Sequence, residues 1–207
     1  MEKQELIPTQ QIGQQTDAEE EKILVSTVEA KATYQKVVQH LLDVNEWYRI
    51  STIEASCFKL FDQNGSPLNR AALEGDYIRI DIPGPGTAAG KGFDWVYIEQ
   101  LEKYADDGSD IDFTLFVARP SRVPGIFGGK IAHFFTDRAT STFIVFRRAN
   151  VLSVEVHGRN EVPNTQDQNL LDKTRNLVVN GGSTIGMSFA QWHLLVSGIL
   201  KQTRLDL

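Results

Sequence analysis

A long amphipathic helix follows an almost unbroken run of strand-like segments, and this order constrains the fold more than any other feature of the sequence. Its apolar positions step along one helix face and are Ile185, Phe189, Trp192, Val196 and Ile199. The preceding segments alternate with a period of two or form β-branched runs. A sheet of this size has an apolar face to bury, and the last helix carries the stripe that covers it.

Six segments in the middle of the chain have strand patterns. They cover residues 55–61, 77–82, 93–101, 111–119, 140–148 and 151–157. Asn64-Gly65 and Ala149-Asn150 indicate tight turns between neighbours. Short connections favour antiparallel pairing, so the sequence predicts a mostly antiparallel sheet.

The N-terminal part is predicted to hold a tail, one strand and a helix pair. Residues 1–22 are rich in Gln and Glu and carry few apolar side chains, so we expect a flexible polar tail. The β-branched run at 23–29 (ILVSTVE) is predicted as the first strand. A helical stripe follows over 30–42, and a short helical turn begins near residue 46. A further helix is predicted at 170–179.

This element order resembles the START-like helix-grip superfamily, also called SRPBCC. Its members run strand, two helices, six strands and C-terminal helix, and the curved sheet grips that helix. The passage Leu42-Asp43-Val44-Asn45-Glu46-Trp47 after the first helix also resembles the superfamily. The resemblance implies an α+β fold, with a curved antiparallel sheet of about seven strands gripping a long C-terminal helix, in a single domain over residues 23–207.

The resemblance also implies a cavity between the sheet and the last helix. Such cavities in the superfamily typically hold lipids, polyketides or other apolar small molecules, and some members are enzymes whereas others are carriers. Fold alone does not choose among these functions. The leading expectation is non-catalytic binding of an apolar small molecule or lipid. Two alternatives stay open: a protein-interaction module with a packed core, and a cyclase- or hydrolase-like enzyme that uses the same cavity.

Aromatic side chains are dense on the strands and the last helix. The residues expected to bind the ligand are Trp47, Trp95, Phe113, Phe116 and Trp192, with Arg119 and His157 as polar anchors. The same aromatic side chains equally suit a packed core, and Arg119 equally suits a cation that reaches to water. His157 shares a strand face with Glu155, so this pair is either an acid–base couple or part of a solvated strand edge.

No catalytic or metal-binding motif stands out in the chain. His40, His133, His157 and His193 lack the spacing of a helical or strand metal site, so no metal or cofactor is predicted. A G-x-S-x-G motif is absent, and Cys57 lies within a strand pattern that suits a small buried hydrophobe. No catalytic residue is therefore assigned.

A Gly- and Pro-rich loop at residues 120–129 interrupts the strand pattern. It places Val123, Ile126 and Phe127 among turn residues. Apolar side chains on such a loop form a lid or a partner contact, or they fold back onto the body. In the protein-interaction alternative, the N-terminal tail and this loop hold the partner.

The charge distribution excludes some partners. The net charge is −6, and residues 1–22 hold six acidic and two basic side chains, so the rest is nearly neutral. Without a Lys/Arg cluster, nucleic acid is not expected as a partner. A single cysteine and the absence of a secretory signal suit the cytoplasm. The sequence has no apolar stretch of about 18 residues, so no membrane span is predicted.

Overall fold

A computed structural model of the chain describes residues 3–50, 57–81, 87–106, 108, 110–164 and 184–201, with the side chains of the last segment described from Trp192 onward. The strands are β1 (Gln14–Ile23), β2 (Cys57–Phe61), β3 (Tyr77–Asp81), β4 (Asp94–Asp106), β5 (Ile111–Pro120), β6 (Thr140–Arg148) and β7 (Val151–Glu161). The helices are α1 (Thr27–Leu42), α2 (Trp47–Ile50) and α3 (Thr184–Lys201), with 3-10 turns at Lys3–Leu6 and Val44–Glu46. The helix predicted at 170–179 lies outside the described residues.

The seven strands form one curved sheet in the order β1-β7-β6-β5-β4-β3-β2. Every neighbouring pair is antiparallel. Strands β2 to β6 each pair with the next strand in the chain, and β1 joins the sheet beside β7. The predicted fold class is confirmed: an antiparallel sheet whose last helix packs across it, the arrangement of a helix-grip domain.

The first strand lies earlier in the chain than the sequence predicts. It spans Gln14–Ile23 and pairs with β7, so the tail prediction is wrong from Gln14 onward. Ser26 Oγ accepts a hydrogen bond from the Glu29 N–H at 3.2 Å, and Glu29 Oε2 accepts one from the Val25 N–H at 3.0 Å. This reciprocal capping starts α1 at Thr27 and leaves only Ile23 of the predicted run 23–29 in the sheet.

Helices α1 and α3 cover the concave face of the sheet. Alternate side chains of each strand point to this face and form the main core. Leu41 of α1 and Ile199 of α3 are both fully buried in it, beside Val154 of β7. The Tyr34 hydroxyl lies 2.8 Å from Thr114 Oγ1, which joins α1 to β5.

The convex face carries a second apolar cluster, which the N-terminal residues cover. Its buried members are Phe113, Leu115, Val117, Ile144 and Phe146. Leu6 and Ile7 pack against them. Further along, the side-chain oxygen of Asn160 accepts two backbone N–H groups of this N-terminal segment, at 2.8 and 3.1 Å. We call residues 3–12 the N-terminal strap, because they cross the convex face and are attached at both ends.

Helix α3 approaches α2 at a glycine. A Cβ atom on Gly198 would overlap the carbonyl oxygen of Ile50. Only glycine permits this close approach of helix and backbone. The contact fixes α3 over the concave face, close to the aromatic side chains of α2 and β2.

Candidate functional site

A small pocket lies on the concave face between the sheet and α3. The residues that line it are Trp47, Phe58, Ile78, Ile80, Val96, Ala118, His133, Phe134, Phe135, Ser141, Phe143 and Trp192. The enclosed space is about 30 Å³. This is room for one or two water molecules, well below the roughly 300 Å³ at which small-molecule pockets begin. We call it the concave pocket.

Four of the lining rings form a continuous aromatic cluster. The Trp47 ring centroid lies 5.2 Å from that of Phe58 and 5.3 Å from that of Phe143. Trp192 of α3 meets Phe143 edge-on at 5.3 Å and Phe58 at 6.4 Å. The Trp47 indole N–H donates to the carbonyl oxygen of Leu41 at 3.1 Å, which holds the ring in place. The interior of the described residues is therefore mainly packed, with the pocket at its margin.

His133 supplies a polar group to the pocket wall. Its Nδ1 accepts a hydrogen bond from the backbone N–H of Phe135 at 3.0 Å. The neutral ring therefore carries its proton on Nε2, which acts as a donor. Burial lowers the pKa of His133 to about 3, because the charged ring would lose its hydration. His133 is therefore a neutral pocket-lining residue whose ring carries one N–H donor.

Backbone hydrogen bonds hold the segment that carries His133. The Asn164 side chain donates to the carbonyl oxygen of His133 at 3.0 Å, and its N–H donates to that of Phe134 at 2.8 Å. The Thr136 N–H donates to the Val162 carbonyl oxygen at 2.9 Å. The histidine ring is therefore fixed by the end of β7 rather than by a regular strand of its own.

The structure separates the seven residues that the sequence predicts as one site. Trp47 and Trp192 line the concave pocket, and Phe116 lies beneath them with its ring 4.6 Å from Phe143. The other four lie on the convex side of the sheet and are Trp95, Phe113, Arg119 and His157. Strand alternation turns these four side chains away from the helices, so they do not line the concave pocket.

Arg119 is held within the convex surface. Its Nε lies 2.5 Å from Glu99 Oε2 and its Nη2 lies 2.8 Å from Glu99 Oε1, a two-bond ion pair. A third donor reaches the carbonyl oxygen of Asp137 at 2.8 Å. Arg119 therefore orders the protein surface instead of facing the concave pocket. Nearby, the Trp95 ring packs edge-on against Phe61 at 5.0 Å.

His157 lies between two carboxylates on the convex face. Its Nδ1 is 2.6 Å from Asp17 Oδ1, and its Nε2 is 3.0 Å from Glu155 Oε2. Burial alone would lower the pKa of His157, but the hydrogen bonds to Glu155 and Asp17 outweigh it and raise the pKa. Burial alone would raise the pKa of Glu155, but hydrogen bonds from His157, Lys3 and Ser153 lower it to about 2. The predicted pairing of His157 with Glu155 is present, and each group favours the charged form of the other.

The sequence reasoning missed His133 and Phe134 as pocket residues. The available signal was the run His133-Phe134-Phe135, an aromatic triplet next to a Gly-rich loop. Its placement depends on hydrogen bonds from Asn164 to the run and from Trp95 to the adjacent Ala132, and both donors lie far away in sequence. No local pattern shows such contacts.

The described residues contain neither a candidate metal site nor a helix that could span a membrane. No cluster of three or more His, Cys, Asp or Glu side chains suited to a metal ion occurs among residues that the structure describes. None of the helices found in these same parts of the chain has the length and apolar character needed to cross a membrane.

Similarity to known proteins was found among solved structures. No protein-family model and no curated protein sequence matches the chain. A protein of Thermus thermophilus is 14% identical, covering 92% of this chain and 97% of its own, with a TM-score of 0.42. Truncated norcoclaurine synthase from Thalictrum flavum is 11% identical over 97% and 100%, with a TM-score of 0.40. The di-domain ARO/CYC StfQ from the steffimycin biosynthetic pathway is 10% identical over 91% and 51%, with a TM-score of 0.36.

The strand order of this chain and the position of α3 define its fold class directly: an α+β helix-grip domain. Proteins of one fold differ in what they bind, so the function of this chain has to be argued from its own pocket.

Proposed function

We propose that the protein binds a small, mainly apolar molecule in the concave pocket and does not transform it. The supporting observation is the neutral Nε2–H donor of His133 in a wall made mostly of aromatic and aliphatic side chains. Apolar pockets with a few placed polar groups bind apolar ligands and set their orientation. The expected ligand is a ring compound with one oxygen that accepts a hydrogen bond from His133.

Binding requires the pocket to enlarge. The 30 Å³ space is too small for a ring compound, so a lining side chain has to move. Trp192 is the best placed to do so, since it is only partly buried and touches Phe58 and Phe143 through ring contacts. Its rotation would open the pocket without breaking the sheet.

Indane and 1-indanone provide the test, because they share a ring system and differ in one carbonyl oxygen. Each is titrated into a Trp95→Phe variant, which removes the convex-face tryptophan from the signal. We expect both compounds to quench the remaining tryptophan fluorescence, and 1-indanone to bind about tenfold more tightly through one buried hydrogen bond. If neither compound quenches the fluorescence, the proposal is contradicted.

A His133→Phe substitution is the matched control for the polar contact. It keeps an aromatic ring but removes the Nε2–H donor. The preference for 1-indanone over indane should then disappear while indane binding persists. An unchanged preference would assign the oxygen contact to another group, such as the pocket-lining Ser141.

Protein interaction through the 120–129 loop is the second candidate function. Phe127 is wholly exposed at this loop and Ile126 is half exposed. Exposed apolar side chains on a loop are typical of a partner contact. Replacing both with serine should abolish binding to a partner without lowering Tm, whereas serine at the exposed Tyr104 on β4 should leave binding intact. The two candidates are independent, because the loop and the concave pocket use different faces of the sheet.

The enzyme alternative receives no support from the geometry. It needs His157 and Glu155 beside a substrate in the cavity, but both side chains lie on the convex face. The sheet itself separates them from the concave pocket. They therefore do not serve as an acid–base couple for a ligand bound there.

A further inference from the structure

We propose that the convex face contains a binding site for a small primary alkylammonium ion, and that the Lys3 side chain of the same chain occupies it here. The Lys3 ammonium lies 2.5 Å from Glu155 Oε1 and 2.9 Å from Glu19 Oε1. Ser153 Oγ lies 3.5 Å away, and the centroid of the Phe146 ring lies 5.5 Å away. Two carboxylates, a hydroxyl and the face of a ring are the groups that hold an ammonium.

Glu155 distinguishes this site from an ordinary surface ion pair. Its side chain is only 2% exposed, whereas Glu19 is 47% exposed. A buried carboxylate is strongly destabilising unless cations and hydrogen-bond donors compensate it. His157 and Ser153 bind it from within the sheet, and both belong to β7. The remaining compensation comes from the ammonium of Lys3, which belongs to a separate and peripheral part of the chain.

Space for a ligand lies next to the Lys3 ammonium group. A cavity of about 450 Å³ lies between the strap and the sheet, and it is lined among others by Glu21, Phe146, Arg148 and Val151. This volume is within the range of small-molecule sites. An alkylammonium placed with its nitrogen at the position of Lys3 Nζ would have room for its carbon chain beside Phe146. The site therefore combines a buried anion, a ring face and a free volume.

The strap that delivers Lys3 is attached weakly. The turn Lys3–Leu6 has no buried residue, and Leu6 and Ile7 are only partly buried where they pack on the convex face. The hydrogen bonds that join Asn160 of β7 to the strap lie mainly at the exposed surface. Segments with few buried contacts open at a low free energy. A flexible tether holds its end group at an effective concentration of about millimolar. A free alkylammonium at millimolar concentration and above should therefore compete with Lys3.

Chemical rescue of a Lys3→Ala variant tests this site. The variant should melt about 5 °C below the unmodified protein, because Glu155 loses one of its cations. Butylammonium chloride should restore Tm in a saturable manner. Tetramethylammonium chloride at the same concentration has the same charge but no N–H donor, so it should restore little. A Lys36→Ala variant, at an exposed lysine of α1, should show neither the loss nor the rescue.

Two further measurements complete the experiment. A Lys3→Ala/Glu155→Gln variant should not respond to butylammonium, since the buried charge is gone. In the unmodified protein, butylammonium should shift the backbone amide NMR signals of Ser153 and Glu155 but not that of Phe58 on the concave face. This second measurement applies even if the variants do not fold. Equal rescue by both salts, rescue that persists without Glu155, or unshifted Ser153 and Glu155 signals would overturn the proposal.

Discussion

His157 Nδ1 lies 2.6 Å from Asp17 Oδ1, so an imidazole of the last strand is joined to a carboxylate of the first. Glu155 contacts the other ring nitrogen, and Arg159 also binds Asp17, at 2.7 Å. The charged groups of β1 and β7 therefore form one network across the sheet. The Lys3 ammonium extends this network to the N-terminal strap.

Stability should depend on pH in two separate windows. The raised pKa of His157 means that its stabilising contribution is complete below its ordinary pKa of 6.5 and is lost as the pH rises through the higher folded value. The lowered pKa of Glu155 means that its contribution is complete above 4.5 and is lost as the pH falls toward about 2. Urea unfolding from pH 2 to 9 should show both losses. A His157→Gln variant that keeps the alkaline loss would contradict the assignment.

Alanine at Gly198 should destabilise the contact between α3 and α2. The added Cβ overlaps the Ile50 carbonyl oxygen, and such overpacking costs about 1–3 kcal/mol. The gain in helix propensity, about 1 kcal/mol, offsets only part of this. A net loss of about 1 kcal/mol is expected in urea unfolding. Alanine at Gly129, where the nearest atoms lie at ordinary distances of 3.8 Å and beyond, is the control.

Removing Arg147 should be among the most damaging single changes in the sheet. Its fully buried guanidinium donates to Asp112 Oδ2 at 2.6 Å and to Asp110 Oδ1 at 2.8 Å. An Arg147→Met variant leaves these carboxylates without their cation, and breaking a buried pair in this way costs about 3–5 kcal/mol. Urea unfolding provides the measurement. The neighbouring Arg148 is exposed, so Arg148→Met should change stability by much less.

The Asn160 side chain should control the opening of the N-terminal strap. Asn160 has a φ of 56°, which glycine adopts readily, so Asn160→Gly removes the side chain without straining the backbone. Loss of the bonds to the Gln11 and Ile12 N–H groups should speed hydrogen exchange at these two amides about tenfold. Asn64→Gly, at an exposed turn, should leave their exchange unchanged. Unaltered exchange in Asn160→Gly would show that other contacts hold the strap.

The sequence predicted the limits of several strands closely. Strands β3 and β6 begin and end within a residue of their predicted limits because alternation or β-branched runs mark them. Strand β1 was missed because it lies at the sheet edge and buries only Thr16 and Ala18, which leaves no apolar pattern to detect. The capping box formed by Ser26 and Glu29 was visible in the sequence. It marks the start of a helix and would have placed the predicted strand earlier in the chain.

The candidate site was harder to predict because both faces of the sheet are covered. Strand β5 presents Phe116 and Ala118 to the helices and Phe113 and Leu115 to the strap. A strand that is apolar on both sides gives no indication of which side faces the helices. The predicted aromatic residues other than Trp192 are buried, but their division between the two faces depends on a strap whose composition resembles that of a flexible segment.

The acidic run of β1 has a consequence for how copies of the protein meet. This strand is outermost in the described sheet, so its free backbone N–H and C=O groups are a template on which another chain can add a strand. Glu19, Glu20 and Glu21 stand along this border. A second copy approaching in register would bring like charges together, and their repulsion keeps the border from seeding aggregates. The negative charges along β1 therefore disfavour edge-to-edge pairing between copies.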